Sequence, residues 1–181
     1  MKTVFCVCAD YLDDLEVAVN ICNFLDILGF DCRLVLRMGE MECLLDQLLD
    51  RLRKKRDDEF ENFLKENFNA DCLVMVCIFR DNKLKDYASY IQLKDNKLHL
   101  IRINRAKLKD KYLSLLPSVI LHELLHLERK EECSEKNKLC IGAKVSRKSQ
   151  FYLCPKCKEV LTKVIEKFGN PKNSKLFELG E

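Results

Sequence analysis

Between Val119 and Leu127 runs VILHELLHL, an apolar segment interrupted by three residues able to do chemistry: His122, Glu123 and His126. Side chains four apart lie on one face of a helix. His122 and His126 can therefore each offer a ring nitrogen to one ion. Glu123 is turned by one position, beside such an ion and not on it. There it can take a proton from a water and deliver it to a leaving amine. Zinc in such a place lowers the pKa of water to about 7, so a nucleophile for a peptide carbonyl exists at neutral pH. The pattern also arises by chance, and a core helix with two satisfied histidines would carry the same letters. Two features favour the chemical reading. The chain has three histidines and two of them are here. Val119, Ile120, Leu121, Leu124, Leu125 and Leu127 make the helix apolar nearly all round, as burial of an active site requires.

The second constellation follows at once. Cys133, Cys140, Cys154 and Cys157 are spaced x6, x13 and x2, and the last pair is the knuckle CPKC. Such a knuckle joined to two further cysteines is a structural zinc signature. Four thiolates leave no open position, so this site serves folding. Free thiols or an iron–sulfur cluster are the alternatives. The other seven cysteines, Cys6, Cys8, Cys22, Cys32, Cys43, Cys72 and Cys77, lie mostly in apolar runs and read as buried thiols acting as small hydrophobes.

Taken together, an HExxH helix running into a cysteine, then a second cysteine, then CPxC, resembles the archaemetzincins, zinc metalloproteases of the metzincin clan. The resemblance implies that His122 and His126 bind a catalytic zinc. It implies that Glu123 is the general base, and that Cys133, Cys140, Cys154 and Cys157 hold a second zinc. It also implies that DYASYIQLKDNKLHLIRINR supplies an edge strand and its neighbour. The family pattern continues HExxHxxGxxHC. Here Arg129 stands where the glycine belongs and Glu132 where the third histidine belongs. The family's methionine after the second cysteine is missing too: no methionine follows Met75, and Gly142 lies at the corresponding place.

The third ligand is therefore an open question. LERKEE is a good helical string, and Arg129 favours continuing the helix. On an unbroken helix Glu132 would lie roughly 9 Å along the axis from His126, out of reach of a shared ion. If the chain turns, Glu132 is the first candidate, since carboxylate is an acceptable zinc ligand. His99, on the strand-like KLHLIRI, reads more readily as a packed strand histidine. Glu159 and Glu166 lie close to the cysteine site.

The elements that must position these residues can be read from periodicity. KTVFCVCA, CRLVLRM and DCLVMVCIF are strand-like. Leu12 to Leu25 recur at helical spacing until Gly29. From Glu42 a helical pattern runs through RLRKKRDDE to Leu64, as one helix or as two with a break near Asp57. YASYIQL and KLHLIRI flank Lys94-Asp95-Asn96 as a hairpin. A helix is expected from Leu113 to about Glu132, and a last one from about Lys158 to Phe168. The order argues an α/β fold, a twisted mixed sheet with an active-site helix and a small zinc-stapled C-terminal subdomain. Residues 1–132 would form the core and 133–181 the subdomain, in a single compact unit.

The remaining composition narrows the function. The 181 residues are 48% hydrophobic and 34% charged, as in an ordinary globular protein. No apolar run approaches the roughly 18 residues of a membrane helix, and the N-terminus lacks a signal-peptide pattern, so a cytoplasmic protein is expected. Residues 1–101 carry 14 basic and 19 acidic side chains, and residues 102–181 carry 18 and 10. The basic residues are scattered without interleaved aromatics, so neither nucleic acid nor a membrane is an expected partner. The expected activity is a zinc-dependent peptidase, with peptide or protein substrates added as a strand beside residues 87–93. The alternative is a binding protein that keeps the fold and only the structural zinc.

Overall fold

A computed structural model describes residues 1–9, 11–36, 50–108, 110–129, 131–134, 140–143 and 152–175. Five strands form one sheet: β1 (Thr3–Ala9), β2 (Cys32–Leu36), β3 (Cys72–Phe79), β4 (Ala88–Lys94) and β5 (Leu98–Asn104). Their order is β2-β1-β3-β5-β4. The first four in that order run parallel, and β4 lies antiparallel at the edge. This is the expected mixed sheet, with 88–94 as the expected edge strand.

The central strands are apolar without alternation because both sheet faces are covered. Phe5, Val7, Val74, Val76, Ile101 and Ile103 face one core with α1 (Leu15–Ile27), α3 (Leu116–Leu125) and α4 (Pro155–Phe168). Val4, Cys6, Leu73, Met75 and Leu100 face the other, closed by Phe60 and Leu64 of α2 (Asp57–Phe68). Residues 50–54 are helical and the chain breaks at 55–56 before α2, so the pattern is two helices there. The start of that pattern, from Glu42 to Leu49, and Cys43 lie outside the described residues.

Helix α1 ends at Gly29, whose φ of 90° suits a residue without Cβ. A Cβ there would come within 2.6 Å of the Asn170 carbonyl oxygen, so the turn is also packed against the end of α4. Helix α4 begins three residues earlier than expected, at Pro155. It buries Leu161, Val164, Ile165 and Phe168 in the same core as the sheet. The larger departure is α3. It starts from a turn of 3-10 helix and stops at Leu125, well before Glu132. Residues 126–128 form a turn.

Candidate active site and cysteine cage

The end of α3 tightens before it stops. The N–H groups of His126, Leu127 and Glu128 each donate to the carbonyl three residues back, and Arg129 N–H donates to Leu125 O. Shortened bonds of this kind are a common way for a helix to close its last turn. The chain then leads to Cys133, whose N–H donates to Gly142 O at 2.7 Å. The helix-favouring string LERKEE thus gives way to a tightened last turn and a tertiary bond to Gly142, a routine outcome for a weak local preference.

Both histidines sit where their tautomers are fixed. His122 Nδ1 lies 2.7 Å from the carbonyl oxygen of Ile141, and His126 Nδ1 lies 3.3 Å from that of Arg129. A carbonyl has no proton to give, so each Nδ1 is the protonated donor. The neutral rings then present bare Nε2 lone pairs, and these stand 3.3 Å apart. Two facing lone pairs repel unless a cation lies between them. Burial, then the neighbouring His122, hold His126 below the usual histidine range. Two nitrogens about 2.0–2.1 Å from a tetrahedral zinc would themselves be about 3.3 Å apart. The pair therefore fits one ion, with the outer nitrogens anchored as metal-binding histidines commonly are.

Glu123 is buried, at 5% exposure. Burial, then the charges of Asp86 and Glu132, push its carboxyl up to about 8. A carboxyl poised near neutrality can both accept and return a proton. Glu132 is exposed, and its charge is felt at Glu123 and His126. It does not join the two imidazoles in a group of ligand atoms within 4.8 Å. Among the described residues, the group that meets this spacing is Cys133, Cys140, Cys154 and Cys157. Cys133 and Cys154 sulfurs lie 3.6 Å apart, and Cys140 and Cys157 sulfurs 3.5 Å. Sulfurs about 2.3 Å from a tetrahedral zinc would stand slightly farther apart, so the cage closes on such an ion with little movement. Glu159 and Glu166 are exposed on α4 and lie in neither group.

His99 is packed in the sheet at 1% exposure. Its Nδ1 lies 2.7 Å from the Tyr90 hydroxyl, and the Tyr90 ring in turn stacks beside His126 at 6.0 Å between centroids. Two parts of the site were not visible as functional residues in the sequence. Arg129, read as a helix former, sends one guanidinium nitrogen to the Cys157 sulfur (3.2 Å) and another to Gly142 O (2.6 Å). The Ile141 carbonyl, being backbone, left no signal at all. A cavity of about 360 Å³ lies elsewhere, between α1 and the start of α3, and reaches neither histidine.

Among solved structures, the chain is similar to the zinc-dependent peptidase from Methanocorpusculum labreanum, with a TM-score of 0.52 at 15% identity. The two share a fold. The match covers 87% of this chain and 99% of that one. A second solved structure, archaemetzincin from Methanopyrus kandleri, gives a TM-score of 0.49 at 12% identity over 92% of this chain and 97% of that one. No family model and no curated protein sequence matches the chain. The mixed α/β fold expected from the sequence is thus one that the chain shares with a zinc-dependent peptidase. Among the described residues no helix is long and apolar enough to cross a membrane.

Proposed function

We propose that the protein is a zinc-dependent peptidase acting on peptide or protein substrates. The observation that carries this is the facing pair of Nε2 lone pairs, each fixed by a carbonyl behind its ring, with a buried carboxyl beside them. A zinc held by His122 and His126 would polarise a carbonyl and acidify a water. Glu132, whose charge is felt at Glu123 and His126, is the proposed third ligand. Glu123 would take the proton from the attacking water and hold it until the amine leaves. Strand β4 forms the sheet edge beside His126, with Tyr90 stacked on that ring. An extended peptide added to β4 would place a carbonyl near the histidine pair. The four cysteines would hold a second, structural zinc. The fold shared with a zinc-dependent peptidase supports the reading.

The exposure of Glu132 favours a second reading, a protein that keeps only the cysteine-held zinc and binds peptides without cutting them. Metal analysis of purified protein separates the two. Two zincs per chain, and peptidase activity lost in Glu123→Gln with both zincs retained, are expected. One zinc per chain, removed by disrupting the cage, would establish the non-catalytic reading instead.

A further inference from the structure

Arg129 touches both candidate metal sites. Its carbonyl oxygen accepts from His126 Nδ1 at 3.3 Å. Its Nη1 donates to the Cys157 sulfur at 3.2 Å and its Nη2 to Gly142 O at 2.6 Å. Its Nε is buried with no partner among the described residues, where those two contacts hold the side chain in place. Gly142 is packed to receive it: a Cβ at that position would fall on Arg129 Nη2 and within 2.5 Å of the Cys157 sulfur. The residue before Gly142 supplies the carbonyl that holds His122. Cys133 N–H also donates to Gly142 O, so that one oxygen ties the loop from α3 to the segment 140–143.

From this we infer that Arg129 is a positioning residue that couples the cysteine cage to the histidine pair. The inference rests on reading both sites as zinc sites. An ion in the cage requires four thiolates, whose net charge with a divalent ion is −2. A guanidinium fork offsets part of that charge and donates a charge-assisted bond to one sulfur. A neutral thiol is a weak acceptor and would hold the fork poorly. A filled cage therefore fixes Arg129 and, through Gly142, the 140–143 segment. That in turn fixes both carbonyls behind the imidazoles. Binding at one site favours binding at the other, and the coupling is reciprocal. A glycine at position 129 would have no side chain to do this, so the departure from the family pattern is itself the coupling device.

The test uses the full chain, with Zn²⁺ affinity at each site measured by competition with a chelator. Co²⁺ substitution reads the cage separately, through its thiolate-to-metal absorption. In Arg129→Gln the cage should still fill, and the second zinc should bind about tenfold or more weakly, the usual cost of losing an outer-shell partner. Arg129→Lys keeps the charge but cannot fork to both acceptors, so it should bind the second zinc with intermediate affinity. If Arg129→Gln does not fold, the lysine variant carries the test alone. Two zincs in the parent, with second-site affinity within twofold in a folded variant, overturn the coupling and leave the peptidase reading standing. A single zinc in the parent overturns the peptidase reading and the coupling with it.

Discussion

A single backbone turn decides the chemistry open to Glu132. On a continuous helix this carboxylate could not serve the histidine pair, and the helix-favouring string LERKEE is good reason to expect that helix. With α3 ending at Leu125, position 132 follows a turn, and its charge acts on both Glu123 and His126. Glu132→His alone should therefore tighten zinc at the pair by several-fold, since imidazole suits zinc well. Adding Arg129→Gly should not improve on it, because the helix stops without a glycine there. Chelator competition on protein with a filled cage measures this, and unchanged affinity in Glu132→His would remove position 132 from the ligand set. His99 makes a different contribution. Burial, then the nearby Lys167, depress it to about 4 from an ordinary value of 6.5. The folded state thus holds this ring neutral where the unfolded chain would protonate it. Stability from this source is complete above pH 6.5 and is lost as pH falls toward 4, by about 3 kcal/mol over the window. Comparing melting temperatures of the parent and His99→Gln from pH 7 to pH 4 isolates it. The variant should show the shallower fall, and parallel curves would mean that the ring is protonated in the folded protein as well.

At the scale of elements, the strands and their hairpin were legible because their signals are local. Continuous apolar runs such as LVMVCI in β3 and the turn at Asp95-Asn96 depend on neighbours a few residues away. The four-cysteine group was legible for the same kind of reason, a fixed spacing with a fixed chemistry. The end of α3 was not, because what stops it lies 13 and more residues further on, in Gly142 O and the Cys157 sulfur. The thiols divided similarly. Cys6, Cys8, Cys72 and Cys77 are buried in the sheet as expected, whereas Cys22 and Cys32 are only partly buried against the core, their sulfurs 2.8 Å apart where α1 meets β2. The segment 140–143 shows how little sequence signal a working element can carry. It has no regular structure, yet it holds His122, Cys140 and the loop from α3. Gly142→Ala probes it directly, since the added methyl has no room between Arg129 and Cys157. Overpacking of this kind costs about 1–3 kcal/mol. The variant should melt at a lower temperature and bind zinc more weakly at both sites. Parent-like affinity at both would show that the segment can yield without disturbing either.

For the molecule as a whole, the question is how far the cysteine-stapled end shares its stability with the main core. The sequence suggested a small stapled subdomain in a single compact unit with that core, since the residues around the cage offer few apolar side chains of their own. The packing joins the two closely. Cys140, Ile141, Leu153, Cys154 and Cys157 lie in one cluster with Phe5 and Val7 of β1, Ile120 and Leu124 of α3 and Phe168 of α4. Asn170, just past α4, donates its N–H to Gly29 O at the end of α1, so the C-terminal helix is tied to the first helix as well. Removing a metal that binds only the folded state lowers its stability by mass action. Where the cage shares a core with the sheet, that loss falls on the whole described fold and not on one end. Cys154→Ser or Cys157→Ser should therefore give a single unfolding transition at lower temperature, each 1 kcal/mol lost moving it down by roughly 2–4 °C. Hydrogen exchange should speed up in α4, α3 and β5 together, in proportion to the lost stability. A separate early transition confined to residues 133–175, with protection of β1, β3 and β5 unchanged, would instead make the cage a local staple. The coupling through Arg129 predicts one further consequence for the same variants. Their histidine pair should bind zinc more weakly even at temperatures where the sheet remains fully folded, because an unfilled cage no longer holds the fork.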